Sequence, residues 1–154
     1  MVMKKTFRAI AYCCIGLLAG SLQAMAQSPF NGMLYNEETG VRLHLDLDNE
    51  TIEVPGMSFL GLTHGYLDGK TNNHVYGVWM VTRVQQKGKK ARIRVANDIG
   101  SDAQEILLTC INDSTFRYSA VGINSIRKVV GRKLEKISSD MILHKKIKTG
   151  REGI

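Results

Sequence analysis

Between Gln27 and Met141 the sequence lacks any window that keeps apolar residues at helical spacing for three turns. That excludes a helical bundle, whose core is built from such faces. Cysteine is nearly as scarce. Of three in the chain, Cys13 and Cys14 fall in the first 26 residues, which leaves Cys110 alone in the remainder. A disulfide scaffold is therefore excluded, and stability must come from a hydrophobic core. Cys110 itself reads as a small buried core residue rather than a nucleophile. His44, His64, His74 and His144 are scattered, with no HExxH or CxxC framework among them, so no zinc pattern is present. No cofactor and no metal are implied. Internal repeats and low-complexity segments are also missing. Beyond residue 26 no apolar run reaches the roughly 20 residues of a membrane-spanning helix.

What is present begins at the N-terminus. Lys4, Lys5 and Arg8 form a basic start without an acidic residue, Ala9 to Leu18 is apolar, and Ala24-Met25-Ala26 ends in small residues. This three-part layout is that of a secretory signal peptide, with cleavage expected after Ala26 and a helix expected within it. A retained membrane anchor would need a longer apolar run than one loosened by Gly16, Gly20 and Ser21. A lipoprotein would need its cysteine after small residues at the end of the run, whereas Cys13 and Cys14 sit in its middle behind Tyr12. The expected organisation is a signal peptide at 1–26, one domain at 27–146 and a frayed tail at 147–154. The expected destination is periplasmic or extracellular.

Removing 26 of the 154 residues leaves 128, one ordinary domain. The leader holds three of the 21 basic residues and none of the 14 acidic ones. The remaining balance is 18 against 14, or +4 in place of +7. Charge is graded along the domain: residues 27–75 are net −5, residues 76–124 net +3 and residues 125–154 net +6. Such a gradient either builds a dipolar surface that steers partners or merely solvates two ends of one domain.

Short alternating runs separated by turn residues indicate an all-β protein. In Val41-Arg42-Leu43-His44-Leu45-Asp46-Leu47 the odd positions are apolar and the even ones polar, the pattern of a half-buried strand. Glu37 to Gly40 and Asp48 to Glu50 flank it as turns, and Thr51–Val54 reads as a short partner strand stopped by Pro55-Gly56. Further strands are expected at Phe30–Asn36, His74–Val84, Ala91–Asn97, Glu105–Ile111, Thr115–Ala120, Ile126–Ile137 and Met141–Lys146. A hairpin turn is expected around Gly88. Nine strands joined by short turns favour a single antiparallel up-and-down β-barrel of about eight or nine strands, of lipocalin-like size; a β-sandwich is the alternative. Gly56–Asn73 breaks the rhythm, with four glycines among apolar residues. It reads either as a lid or pocket wall or as an irregular strand pair folded onto the core.

Catalytic patterns are weak. Gly56-Met57-Ser58-Phe59-Leu60-Gly61 approximates a nucleophile elbow, but its second glycine falls one position late, which disfavours a Ser58–His64 pair. Asp46-Leu47-Asp48-Asn49-Glu50 opens like a calcium loop, yet Thr51 stands at the glycine position and Met57 at the closing acid; a tight polar hairpin explains the same residues. His44 and Asp46 share a strand face, where a metal or substrate would find both. Gly77-Val78-Trp79 resembles the G-x-W element of lipocalin-type barrels, whose interiors hold small apolar ligands. That element belongs on the family's first strand, whereas here it lies some fifty residues past Ala26, and three residues assign no family.

The leading functional expectation is thus an exported, non-catalytic barrel that binds a small apolar or amphiphilic ligand near Phe59, Tyr66, Tyr76 and Trp79. The strand around Trp79 is apolar on both faces, with Trp79 and Val81 on one and Met80 and Val84 on the other. The second is an envelope interaction protein that docks an anionic lipid, an acidic polysaccharide or an acidic protein. It would use Arg92, Arg94 and Arg117, which alternation places on the outer face beside Lys87, Lys89 and Lys90. Nucleic acid is disfavoured by export and by the lack of interleaved aromatics. A hydrolase comes third.

Overall fold

The computed structural model describes residues 26–69, 75–98 and 102–147. The expected signal peptide, apart from Ala26, and the tail beyond Ile147 lie outside these residues.

Among the described residues twelve strands occur, in the order β1 (Gly32–Tyr35), β2 (Val41–Leu45), β3 (Ile52–Glu53), β4 (Leu62–Thr63), β5 (Gly65–Gly69), β6 (Trp79–Lys87), β7 (Lys90–Asn97), β8 (Ala103–Asn112), β9 (Thr115–Val121), β10 (Arg127–Val130), β11 (Lys133–Lys136) and β12 (Asp140–Lys145). Eight of them close an antiparallel barrel in which β1, β2, β5, β6, β7, β8, β9 and β12 each pair with the next and β12 returns to β1. This is the expected up-and-down barrel. Two small hairpins, β3–β4 and β10–β11, are inserted at opposite ends of it. The end bearing β3–β4 is called the lower end below, and the end bearing β10–β11 the upper.

Alternation builds the core. Val41, Leu43 and Leu45 of β2, Ala91, Ile93 and Val95 of β7, Ile106 and Leu108 of β8 and Phe116 and Tyr118 of β9 all point inward and are buried. With Trp79, Leu67, Leu143 and others they form one continuous cluster. Each such aliphatic or aromatic side chain contributes about 1.5–3 kcal/mol on leaving water. Phe30 closes the lower end. Its ring lies 5.6 Å from that of Phe116, Lys145 stands 5.2 Å over the same Phe116 ring, and the Lys145 ammonium donates to the Pro29 carbonyl.

Three sequence expectations are corrected. Thr51–Val54 does not partner β2 as its position suggests; Ile52–Glu53 pairs with β4 outside the barrel. The neighbour of β2 is instead β5, from the glycine-rich stretch. The cause is Gly65: at φ +145°, a Cβ there would lie 1.9 Å from the His44 carbonyl oxygen, so only glycine lets the two strands approach. In the described part of the glycine-rich segment, 56–69, Leu62–Thr63 and Gly65–Gly69 are strand, closer to a pair folded onto the core than to a lid. Ile126–Ile137 is two strands rather than one, turned at Gly131 with φ +62°. Finally, a bulge between Val81 and Arg83 shifts the register of β6. Val84 therefore lies opposite inward Ile93 and not on the face of Met80.

Candidate functional site

The four aromatic candidates do not converge on one cavity. Phe59 sits on a 3₁₀ turn, Ser58–Leu60, at the lower end and is 82% exposed. Tyr66 is on the outer face of β5, its ring stacked on His44 with centroids 4.4 Å apart. Only Tyr76 and Trp79 share a pocket, a hollow of about 120 Å³ at the upper end, which Asn97, Asp102, Ser125, Arg127 and Leu134 also line. Trp79 is buried, and its indole N–H donates to the Tyr76 carbonyl at 3.1 Å. The barrel interior itself is occupied by core side chains. One polar atom within it, the Tyr118 hydroxyl, is buried without a hydrogen-bond partner, and burial pushes its phenol well above the ordinary range.

The polar residues of β2 and β5 satisfy one another. Arg42 reaches Asp68 through Nε at 3.0 Å and a second guanidinium nitrogen at 2.8 Å, and His44 Nε2 lies 3.3 Å from the same carboxylate. Burial is the largest influence on Asp68 and opposes its ionisation. The hydrogen bonds of His44 and Arg42 together outweigh it and hold the carboxyl below its usual value. Asp46 has partners of its own. Its carboxylate accepts from the Asp48 and Asn49 backbone N–H groups and from the Thr51 hydroxyl, so the calcium-like spacing is a self-capped turn. His64 Nδ1 lies 3.0 Å from the Asp46 carbonyl. No group of three potential metal ligands occurs among the described residues.

The basic strand face is more open. Arg92, Arg94 and Arg117 all project outward and are exposed. They differ in their partners. Arg117 makes a fork on Asp140, 3.0 Å from Nε and 2.5 Å from a terminal nitrogen, which lowers the Asp140 pKa. Arg92 lies 3.6 Å from Glu105. Arg94 makes no ion pair among the described residues. Directly opposite it across the β6–β7 ladder stands Arg83, likewise without an ion pair.

Like charges directly opposite on a sheet face oppose folding. On its other side Arg94 faces Glu105 of β8, whose carboxylate lies toward Arg92, so neither guanidinium of the doublet is in an ion pair among the described residues. Beside it, Gln85, Gln86, Lys87, Lys90, Arg92 and Leu107 line a shallow groove of about 470 Å³. Sequence alternation missed Arg83 because the bulge at Val81 reverses the parity that would have placed it inward. The Gly88 hairpin was the available signal, since it sets Lys87 opposite Lys90.

No family model, curated protein or solved structure matches this chain. No helix among the described residues is long and apolar enough to cross a membrane.

Proposed function

We propose that this protein is an exported, non-catalytic docking protein that binds a multivalent anion through the outer face of β6–β8. The observation that carries the reading is the Arg83–Arg94 doublet, two exposed guanidinium groups held opposite each other and in no ion pair among the described residues, the Glu105 carboxylate on the far side of Arg94 lying 3.6 Å from Arg92. Lys87, Lys90 and Arg92 extend its positive field along the adjoining groove. An anion placed there would remove the repulsion as well as supply charge-assisted hydrogen bonds. Export is supported by the layout of residues 1–26. An intact mass beginning at Gln27 is expected for the exported form, and one retaining Met1 would overturn that part.

The docking reading is tested with polyphosphate as the probe at low and physiological salt. The R83Q/R94Q double variant should weaken binding on the order of tenfold at low salt and flatten its salt dependence. R117Q should change little, because Asp140 already neutralises that side chain. Equal affinity of R83Q/R94Q and the parent would refute the reading. The apolar-ligand reading retains one observation, the hollow between Tyr76 and Trp79. At about 120 Å³ it is smaller than pockets that enclose small organic ligands, which run from about 300 Å³ upward.

A further inference from the structure

The β10–β11 hairpin stands apart from the barrel. Its base is fixed: Ile126 and Ile137 are buried, the Ile137 N–H donates to the Ile126 carbonyl, and the Asn124 side chain donates to Ile137 and accepts from the Ile126 N–H. One edge is tied to the β5–β6 connection, through the Val75–Lys128 bridge and the Tyr76 N–H on the Arg127 carbonyl. Beyond that base the blade projects into solvent, and every residue of β10 and β11 except half-buried Lys128 is exposed.

What the blade exposes is chemically mixed in a particular way. Val129 and Leu134 face each other across the ladder, and Val130 adjoins the Gly131-Arg132 tip. All three are exposed, as are Tyr76 and, at 81%, Ile123 at the same end of the barrel. Interleaved with them are Arg127, Lys128, Arg132, Lys133 and Lys136, against Glu135 as the blade's only acid. None of these five cations makes an ion pair among the described residues. An isolated two-stranded hairpin is marginal in water, and this one carries apolar residues on both of its faces. A complementary protein would be met by one apolar face in a groove. Apolar residues on both faces of a tip, with cations between them, match instead the boundary of a bilayer, where side chains enter from any direction and anionic headgroups surround them.

We propose that the β10–β11 blade, with Ile123 and Tyr76 beside it, inserts into the interfacial region of an anionic lipid bilayer. This stands on residues different from those of the strand-face reading and survives its failure.

The test is flotation of the full chain with vesicles of 30% phosphatidylglycerol in phosphatidylcholine. The N-terminal segment is common to all variants, so differences between variants read the blade. V129S/L134S should reduce the bound fraction at least tenfold, and R132Q/K133Q by roughly thirtyfold, with the latter loss confined to anionic vesicles. A V130W variant should shift its emission to the blue on vesicle addition. All of these positions are exposed, so thermal melts should match the parent, and a variant that melts early is replaced by its single-site form. R83Q/R94Q should float as the parent does, and V129S/L134S should bind polyphosphate as the parent does. Parental flotation of V129S/L134S overturns the inference, as does V130W emission that vesicles leave unshifted. Retention by a soluble acidic protein with no flotation difference would also overturn it, in favour of a protein partner.

Discussion

Replacing Tyr118 with phenylalanine removes one oxygen atom from the barrel interior and leaves the ring in place. The ring is fully buried, and the hydroxyl has no hydrogen-bond partner. A hydroxyl taken from water without compensation costs about 1–3 kcal/mol. Y118F should therefore stabilise the domain, by about 1 kcal/mol, or about 3–6 °C in Tm for a domain of this size. Alkaline pH supplies a second, independent signature. Burial raises the Tyr118 pKa, so near pH 10 the unfolded state releases this proton while the native state keeps it. The native state then binds more protons, and stability falls as pH rises past about 10, with a limiting slope of about 1.4 kcal/mol per pH unit. Below about pH 9 the proton is bound in both states and the contribution is constant. Y118F lacks this loss, so its advantage should widen between pH 9 and 11. Urea unfolding at pH 7, 9 and 10.5, followed through the single tryptophan, Trp79, measures both effects. Destabilisation of more than 1 kcal/mol at pH 7, together with parallel alkaline curves, would show that the hydroxyl has a partner and refute the reasoning.

G65A should cost at least about 3 kcal/mol or prevent folding, because its methyl would meet the His44 carbonyl; a soluble variant with the parental Tm would contradict this. D68N should cost about 1–2 kcal/mol by leaving half-buried Arg42 without its fork. Because the folded Asp68 pKa is depressed, the lost stability is that present above about pH 4. Parent and variant should therefore converge as pH falls through the folded value, and acid unfolding curves read this directly. Cys110 is buried, with its thiol donating to the Asn112 carbonyl at 3.3 Å. An aromatic disulfide reagent should label it at the rate of unfolding, and rapid labelling of the native protein would contradict its placement.

The sequence made the barrel legible wherever strands alternate cleanly and turns carry glycine or asparagine. Val41–Leu45 and Ala91–Val95 show the expected inward and outward sides, and the Glu37–Gly40 and Gly88 turns fall where composition puts them. It misled where one residue changes parity or stops a strand. Gly131 divides a run that reads as continuous, and the bulge at Val81 turns Arg83 outward. The pairing of β2 with β5 was illegible because it depends on contact between residues 20 to 28 positions apart, which local pattern cannot specify. For the candidate site, periodicity was enough to orient Arg92, Arg94 and Arg117. It could not reveal that Asp140 holds Arg117 while Arg94 stands between Arg83 and Glu105, since cross-strand neighbours are set by register.

The closure of the barrel has a consequence for the order of events in folding. Its seam joins the first strand to the last through only two opposed residue pairs, Leu34 with Lys145 and Tyr35 with His144. A chain that emerges N-terminus first can build the run from β1 to β9 by adding each strand to the one before it in the barrel, but it cannot shut the barrel until β12 arrives. Until then β1 and β9 both present open edges that invite pairing with other chains. A product truncated before Asp140 should therefore aggregate rather than fold into a smaller barrel. If the chain is exported as proposed, the same late seam would keep it threadable until nearly all of it has passed.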